Sequence, residues 1–268
     1  MFATVKNWDA HVADAELIAR SAGFRALRDR IVELAQPGAQ DTVVDVGAGT
    51  GLLSLAFAER AACVWAIDSS PAMCEYLAAK AASAGLSNIE CVLASAVSLP
   101  VIDGFADLVV SNYCFHELPN AEKLRALAEA RRVLKPGGRI VLGDMMFSLN
   151  PLHVRDRRVV GSKLRVIARR GLPGAWRLAK NAARLAVGRW EYPANAAWWQ
   201  QALQQSGFQQ VTIETLAHEG GIAIAQAPPQ LPDGADVRTA HGSASSEDTP
   251  GTLPNEASRR STPDSCLR

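Results

Sequence analysis

Residues 43–51 decide the fold of this 268-residue chain, with the sequence Val43-Val44-Asp45-Val46-Gly47-Ala48-Gly49-Thr50-Gly51. The β-branched residues predict a buried strand, and the glycines predict a turn that leads into a helix. Small residues let a ligand approach the backbone closely, and the N–H groups at a helix start favour an anionic group. The stretch therefore predicts a cofactor site.

A second predicted strand, residues 64–67, ends at Asp68. This carboxylate follows the glycines by about 20 residues, the distance at which nucleotide sites place the acid that holds ribose hydroxyls. The glycine spacing from Gly47 to Gly51 is G-x-G-x-G, and position 52 is Leu52. Dinucleotide sites have G-x-G-x-x-G, so the pattern argues against a nicotinamide or flavin cofactor.

Strand-like runs alternate with helical runs along the chain. This order predicts an α/β fold with a parallel sheet and right-handed crossovers. The predicted strands are residues 43–46, 64–67, 89–93, 107–111 and 139–144, followed by a terminal hairpin of residues 211–216 and 222–226.

The glycine stretch, Asp68 and the Lys135-Pro136-Gly137-Gly138 run before the fifth strand resemble the class I S-adenosylmethionine (SAM)-dependent methyltransferases. The resemblance extends from about residue 40 to about residue 227 and is of the small-molecule, ubiquinone- and menaquinone-type branch. It implies a Rossmann-like, doubly wound sheet of seven mostly parallel strands with an antiparallel last strand. It also implies SAM as the cofactor and methyl transfer as the reaction.

The same resemblance assigns the cofactor contacts. Asp45 and the glycines match the loop around the methionine part of SAM, and Asp68 matches the acid that accepts both ribose hydroxyls. Met73 would lie against adenine, and Ser95 stands where many relatives have an aspartate for the adenine amino group. Asn112 is the expected polar contact to the methionine end. The predicted cofactor-binding residues are Asp45, Gly47, Ala48, Gly49, Gly51, Asp68, Ser69, Met73, Ser95, Ala96 and Asn112.

The catalytic candidates follow the fourth strand. Ligands in such sheets bind beyond the carboxyl ends of the strands, so residues 111–118 should face the methyl group. His116 is the candidate base for an acceptor that must lose a proton, and Glu117 would orient it. Alternatively, His116 packs at a helix entry and Glu117 lies in solvent. The histidines and cysteines lack metal-ligand spacing, so no metal site is predicted.

Composition limits the class of partner. The formal net charge is +1, so the whole chain has no bulk attraction for nucleic acid. The five cysteines show no C-x-x-C spacing and are expected to be reduced thiols. No apolar run reaches the length of a membrane span. These features predict a cytoplasmic protein.

A basic insertion is predicted between the fifth strand and the hairpin, at about residues 145–207. Residues 151–190 contain eleven basic residues and one acid, Asp156. They favour a helix that rests on an anionic membrane surface, a phosphate-binding face for RNA, or an ordinary cap helix with a solvated basic face. RNA is the less favoured ligand because exposed aromatics do not interleave the basic residues. Four aromatics suit an acceptor pocket, a headgroup interface or the cap core: Trp190, Tyr192, Trp198 and Trp199.

These features predict one catalytic domain over residues 1–227 and a disordered tail over residues 228–268. The first dozen residues, with Trp8 and His11, are a candidate lid. The expected reaction is methyl transfer from SAM to a small hydrophobic acceptor, at oxygen first, with nitrogen or carbon as alternatives. A lipid or RNA methyltransferase and a non-catalytic module that binds SAM or S-adenosylhomocysteine (SAH) are the other hypotheses. The oligomeric state stays open.

Overall fold

The computed structural model describes residues 7–148, 192–216 and 218–230, together with residues 154, 157, 158 and 161. The described strands are β1 (Thr42–Val46), β2 (Cys63–Asp68), β3 (Ile89–Leu93), β4 (Ala106–Asn112), β5 (Leu134–Met145), β6 (Gln209–Thr215) and β7 (Gly220–Gln226). The described α-helices are α1 (Val12–Ala19), α2 (Ala22–Ala35), α3 (Leu52–Ala58), α4 (Pro71–Ser83), α5 (Asn120–Val133) and α6 (Ala196–Gln205). Two short 3-10 helices cover Trp8–His11 and Phe115–Glu117.

The strands form one seven-stranded sheet in the order β3-β2-β1-β4-β5-β7-β6. Strands β1 to β5 pair in parallel, and β7 pairs antiparallel with both β5 and β6. The predicted Rossmann-like sheet with an antiparallel last strand is therefore confirmed. Its strand order reverses beside β1, so the carboxyl ends of β1 and β4 flank the crevice in which such sheets bind ligands.

Local sequence signals explain where the helices begin. Ser21 caps α2 by accepting a hydrogen bond from the N–H of Phe24, and Ser70 caps α4 in the same way. Pro71 occupies the first turn of α4, where its missing N–H has no helical partner to lose. Asn195 caps α6 through the N–H of Trp198. Each cap satisfies an N–H group that the helix itself leaves unpaired.

The sheet buries a hydrophobic core on each face because successive side chains of a strand point in opposite directions. On one face Val44 and Val109 pack with the apolar sides of α5 and α6, which include the fully buried Trp199. On the other face Val43 and Leu108 pack with α2 and α3. The sandwiched sheet is a rigid platform for the loops at its carboxyl edge.

The predicted bounds of the insertion and of the C-terminal tail can be compared with the structure only in part. Helix α6 lies inside the predicted insertion of residues 145–207 but packs on the sheet, and residues 151–190 are almost entirely outside the described residues. The predicted tail begins at residue 228, where the carbonyl of Pro228 still accepts a hydrogen bond from Gly137. The rest of the tail after residue 230 lies outside the described residues.

The cysteine prediction is wrong at one position. Cys74, Cys91 and Cys114 are free, whereas Cys63 is disulfide-bonded. Within the described ranges, no helix is both long enough and apolar enough to cross a membrane.

The turn of residues 47–51, here called the glycine turn, is tightly packed at its last residue. Gly51 has a φ of 82°, and a Cβ at this position would lie 2.2 Å from Cδ1 of Leu77 and 2.5 Å from Cδ1 of Leu55. Glycine is required here for two reasons, because an L side chain disfavours this conformation and because the space is filled.

We expect Gly51→Ala to lower the free energy of unfolding by about 3 kcal/mol, since backbone strain and overpacking add. Gly85→Ala is the matched control. Gly85 also has a positive φ of 71°, but a Cβ at this position would meet no atom within 4 Å, so strain alone should cost about 1 kcal/mol. Urea denaturation of both variants checks the difference, and equal losses would contradict the packing argument.

Candidate active site

The glycine turn is tied to the end of the neighbouring strand β2. The N–H groups of Gly47 and Ala48 donate to the carbonyl of Ile67 at 2.8 and 3.0 Å. The N–H of Gly49 donates to Oδ2 of Asp68 at 2.8 Å. A Cβ on Gly49 would meet no atom within 4 Å, so the turn presents open space at this residue. These contacts leave a backbone cradle beside a carboxylate.

Asp68 is fixed from both sides at the carboxyl end of β2. Its Oδ1 accepts the N–H of Ser70 at 2.9 Å while Oδ2 accepts the N–H of Gly49. Burial raises the pKa of Asp68, and hydrogen bonds from the backbone of Ser70, Gly49 and Ser69 act in the opposite direction. Each carboxylate oxygen keeps further lone pairs, so the group can still accept two ribose hydroxyls.

Asp45 occupies a different environment from Asp68. It is 1% exposed, and its Oδ2 accepts a hydrogen bond from the Ser54 hydroxyl at 2.5 Å. Burial raises the pKa of Asp45 to about 7. Because Ser54 lies on α3, this bond fixes the helix that follows the glycine turn to β1. The geometry favours a positioning role for Asp45 behind the cradle.

The predicted adenine residues differ in their exposure. Ser69 and Ser95 are exposed and Ala96 is half-buried, whereas Met73 is 2% exposed. The Ser95 hydroxyl accepts a weak hydrogen bond from the N–H of Val97 at 3.4 Å, so it caps its own turn. The apolar side chain that is open at this end of the sheet belongs instead to Leu93, which pairs with Asp68 in the β-ladder and is 57% exposed.

Asn112 ends β4 opposite Gly143 of β5. Its Oδ1 is buried and has no hydrogen-bond partner in the described structure. The oxygen would lie 3.1 Å from a Cβ at Gly143, so only glycine at that position leaves room for it. An orphaned buried acceptor is costly unless a ligand supplies a donor, which fits the predicted contact with the methionine end of SAM.

His116 forms a buried pair with Asp144, here called the His116–Asp144 pair. The His116 Nδ1 lies 2.7 Å from Oδ1 of Asp144, and the His116 backbone N–H donates to Oδ2 at 2.8 Å. The two residues are 6% and 1% exposed. A carboxylate only accepts hydrogen bonds, so Nδ1 carries a proton and Nε2 of the neutral ring can accept one. Glu117 lies on that side, with Oε1 3.6 Å from Nε2.

Lys123 on α5 holds the chain that leads into α6 against His116. Its side chain is fully buried, and Nζ donates to the carbonyls of Leu118 and Tyr192 at 2.6 Å each. The N–H of Tyr192 in turn donates to the carbonyl of His116 at 2.6 Å. The Lys123 ammonium also lies 5.7 Å from the centre of the Trp198 ring. Tyr192 and Trp198 thus contact a buried cation, and Trp199 packs in the core.

The N-terminal segment contacts the cofactor side of the site through two carboxylates that the sequence analysis did not identify. Asp9 accepts the Ser70 hydroxyl at 2.5 Å. Glu16 accepts from Lys80 at 2.8 Å, and Lys80 also donates to the carbonyl of Thr50 in the glycine turn. The segment therefore lies against the start of α4 and the glycine turn, which agrees with a covering role. That role stays a prediction for Trp8 and His11.

Asp144 is the main functional candidate that the sequence analysis missed. The sequence did contain a signal for this residue. Asp144 is a charged residue at the carboxyl end of the buried apolar strand β5, just as Asn112 is a polar residue at the end of β4. Trp190 and nearly all of the basic residues 151–190 lie outside the described residues, so the membrane and RNA interpretations stay predictions. In the described part, no cluster of side chains could hold a metal ion.

Comparison with known proteins identifies the class of the domain. Residues 43–138 match the family model of a methyltransferase domain. The chain is 39% identical over 117 residues to the demethylmenaquinone methyltransferase of Thermus thermophilus. This alignment covers 43% of this chain and 52% of that protein. It is 34% identical over 145 residues to the malonyl-[acyl-carrier protein] O-methyltransferase of Hahella chejuensis, covering 53% and 49% of the two chains.

Solved structures agree in fold. A SAM-dependent methyltransferase from Aquifex aeolicus superposes with a TM-score of 0.57 at 17% identity, covering 81% of this chain and 98% of that one. The match with the curated relatives extends over about half of their length. Residues 43–138 therefore match a methyltransferase domain, and the sheet has the fold of a SAM-dependent methyltransferase.

Lys123 yields a prediction for stability as a function of pH. Burial lowers the pKa of Lys123 from its ordinary value of 10.5 to about 8. Between these two values the unfolded chain binds more protons at this group than the folded chain does, so Lys123 favours folding increasingly as the pH rises. We expect the stability of the wild type relative to Lys123→Met to increase by up to about 3 kcal/mol from pH 8 to 10.5.

Denaturant unfolding of both proteins at several pH values measures this difference. Below about pH 7 the lysine is protonated in both states, so the difference should be constant there and serves as the internal control. A difference that stays constant up to pH 10.5 would contradict the proposed burial of a charged lysine.

Proposed function

We propose that this protein transfers the methyl group of SAM to an oxygen of a small hydrophobic acceptor, with His116 as the general base. The observation that carries the proposal is the buried His116–Asp144 pair, whose loop also places Cys114 against Gly47 of the glycine turn. The fold supports methyl transfer as a class of reaction, and the base supports an acceptor that must lose a proton.

The residues present fit the cofactor. The cradle at Gly49 is open, Asp68 keeps free lone pairs, and Asn112 has an unpartnered oxygen within the described structure. We propose that Asp68 accepts the ribose hydroxyls and that Asn112 accepts from the ammonium group at the methionine end. When bound, SAM supplies an activated methyl group on a cationic sulfonium.

The chain's own residues would do the remaining work. Asp144 holds the imidazole so that Nε2 points away from it and can take a proton from an acceptor hydroxyl. Asp144 also stabilises the imidazolium that forms, since its carboxylate accepts a hydrogen bond from Nδ1–H before and after the proton transfer to Nε2. Holding the acceptor in line with the methyl group supplies most of the rate enhancement that such a transfer needs.

Oxygen is favoured over nitrogen as the acceptor atom because a neutral amine needs no base before transfer whereas a hydroxyl does. The O-methyltransferase from Hahella chejuensis is a relative with oxygen chemistry. A cytoplasmic location and peripheral contact with an anionic membrane through residues 151–190 remain part of this proposal. A module that binds SAM or SAH without turnover is the alternative, and assays of methyl transfer separate the two.

We expect Asp68→Asn to weaken SAH binding by about 10- to 100-fold, because one carboxylate oxygen that accepts both a backbone N–H and a ribose hydroxyl is replaced by a donor. Calorimetric titration of the purified protein with SAH measures the change. Glu75→Gln, an exposed acid on the next helix, is the matched control and should bind as the wild type does. Unchanged affinity of Asp68→Asn would overturn the assignment of the ribose site.

We expect His116→Gln to lower kcat by about 100- to 10,000-fold when the acceptor is a phenol, since a positioned base contributes this much. Asp144→Asn should lower kcat as well and shift the pH dependence of kcat, because the imidazole loses the carboxylate that stabilises its charged form. SAH affinity should be unchanged in both. A variant with normal kcat and a normal pH profile would show that His116 only packs at the helix entry.

A further inference from the structure

Tyr113 has a backbone conformation that only a well-supported residue can hold. It directly follows β4 and has a φ of 52°, in the left-handed region that bulky side chains rarely adopt. Its N–H donates to the carbonyl of Gly143 at 2.8 Å, which fixes the strained residue to β5. Strained residues of this kind concentrate at functional sites, and a glycine or asparagine here would avoid the strain.

The ring of Tyr113 links the proposed base to the N-terminal part of the chain. It lies edge-to-face on the His116 ring, with centroids 5.8 Å apart, and packs against the Phe24 ring at 4.8 Å. The next residue, Cys114, fills the space under Gly47, where a Cβ would lie 2.3 Å from its Sγ. Tyr113 is therefore placed between the glycine turn and the His116–Asp144 pair.

The hydroxyl of Tyr113 has no hydrogen-bond partner among the residues that the structure describes. It lies 3.1 Å from the position that a Cβ on Gly220 would occupy, close to the start of β7. Burial, together with the carboxylates of Glu219 and Asp144, raises the pKa of Tyr113, so the hydroxyl stays protonated. A partly buried donor without a partner loses hydrogen-bond energy unless a ligand accepts from it.

Carboxylates lie on both sides of the proposed base. Oδ1 of Asp144 is 2.7 Å from Nδ1 of His116, and Oε1 of Glu117 is 3.6 Å from Nε2. Such a group of acids suits a cationic sulfonium but repels an anionic acceptor, because charges interact strongly in a partly buried site. An acceptor that enters uncharged and loses its proton only to His116 avoids this repulsion.

We propose that Tyr113 determines the specificity of the acceptor site by donating a hydrogen bond to an oxygen of an uncharged acceptor. The inference rests on the proposed function, since it places the acceptor next to His116. The acceptor class is a neutral hydroxyl compound, not a carboxylic acid.

The test compares hydroquinone with 4-hydroxybenzoate, which share a phenol ring and differ at the para position, where the first carries a neutral hydroxyl and the second a carboxylate. Binding of each compound to the wild-type complex with SAH is measured by calorimetry, and methyl transfer is measured with SAM. We expect hydroquinone to have the higher kcat/KM by about tenfold, since like charges in a partly buried site repel. Glu219→Gln should narrow this preference, since it removes one of the repelling charges.

Tyr113→Phe is the matched variant, because it keeps the ring and removes only the hydroxyl. We expect hydroquinone to bind about fivefold more weakly, the size of effect that one neutral hydrogen bond gives. The stability and the SAH affinity should not fall, because the hydroxyl has no partner in the described part of the protein. A merely structural tyrosine would give the opposite pattern, with lower stability and unchanged acceptor binding.

The outcomes separate the two proposals. Failure of the wild type to bind SAH overturns the proposed function. Three results would overturn only the role of Tyr113, provided that SAH binds normally. They are an absence of hydroquinone binding, equal use of both phenols, and full hydroquinone affinity in Tyr113→Phe. Weaker hydroquinone binding at unchanged stability supports it.

Discussion

The hydrogen bonds between the glycine turn and the end of β2 are the constraint on which the site depends. Gly47 and Ala48 donate to the carbonyl of Ile67, and Gly49 donates to the carboxylate of Asp68. The turn can lie this close only because its residues are small and three of them take positive φ values. The same bonds that shape the turn also orient the carboxylate, so the backbone cradle and the ribose acceptor form one unit. A ligand that binds both would gain from an arrangement that is already organised.

The second half of the site uses a similar arrangement at the next pair of strands. Asn112 ends β4 opposite Gly143 of β5, and the residues that follow bring His116 and Asp144 into contact. The backbone N–H of His116 and the ring of His116 bind the two oxygens of the same carboxylate. A single buried acid therefore fixes both the loop and the imidazole. The buried Lys123 supports the same loop by donating a hydrogen bond to the carbonyl of Leu118.

The sequence predicted the elements of this arrangement more completely than its contacts. Glycine spacing and the position of Asp68 are local signals, since both follow from what a strand, a turn and a helix start require. The hydrogen bond of His116 to Asp144 joins residues 28 positions apart, and the contact of Lys123 with Tyr192 joins residues 69 apart. Such pairs depend on strand register and loop path, which a sequence pattern does not encode. The sequence also could not decide between a core position and a pocket position for Trp199, because an aromatic residue suits both equally well.

Hydrogen bonds from the protein explain why the site can contain buried carboxylates. Asp45 and Asp144 are almost completely buried, but each binds a donor from the protein: the Ser54 hydroxyl for Asp45, and the ring and backbone of His116 for Asp144. Buried carboxylates that are hydrogen-bonded avoid much of the cost of desolvation. The Asn112 oxygen and the Tyr113 hydroxyl have no such donor or acceptor within the described structure. These two unsatisfied groups lie at consecutive positions between the cofactor cradle and the proposed base, which is where two ligands must meet for a methyl group to pass between them.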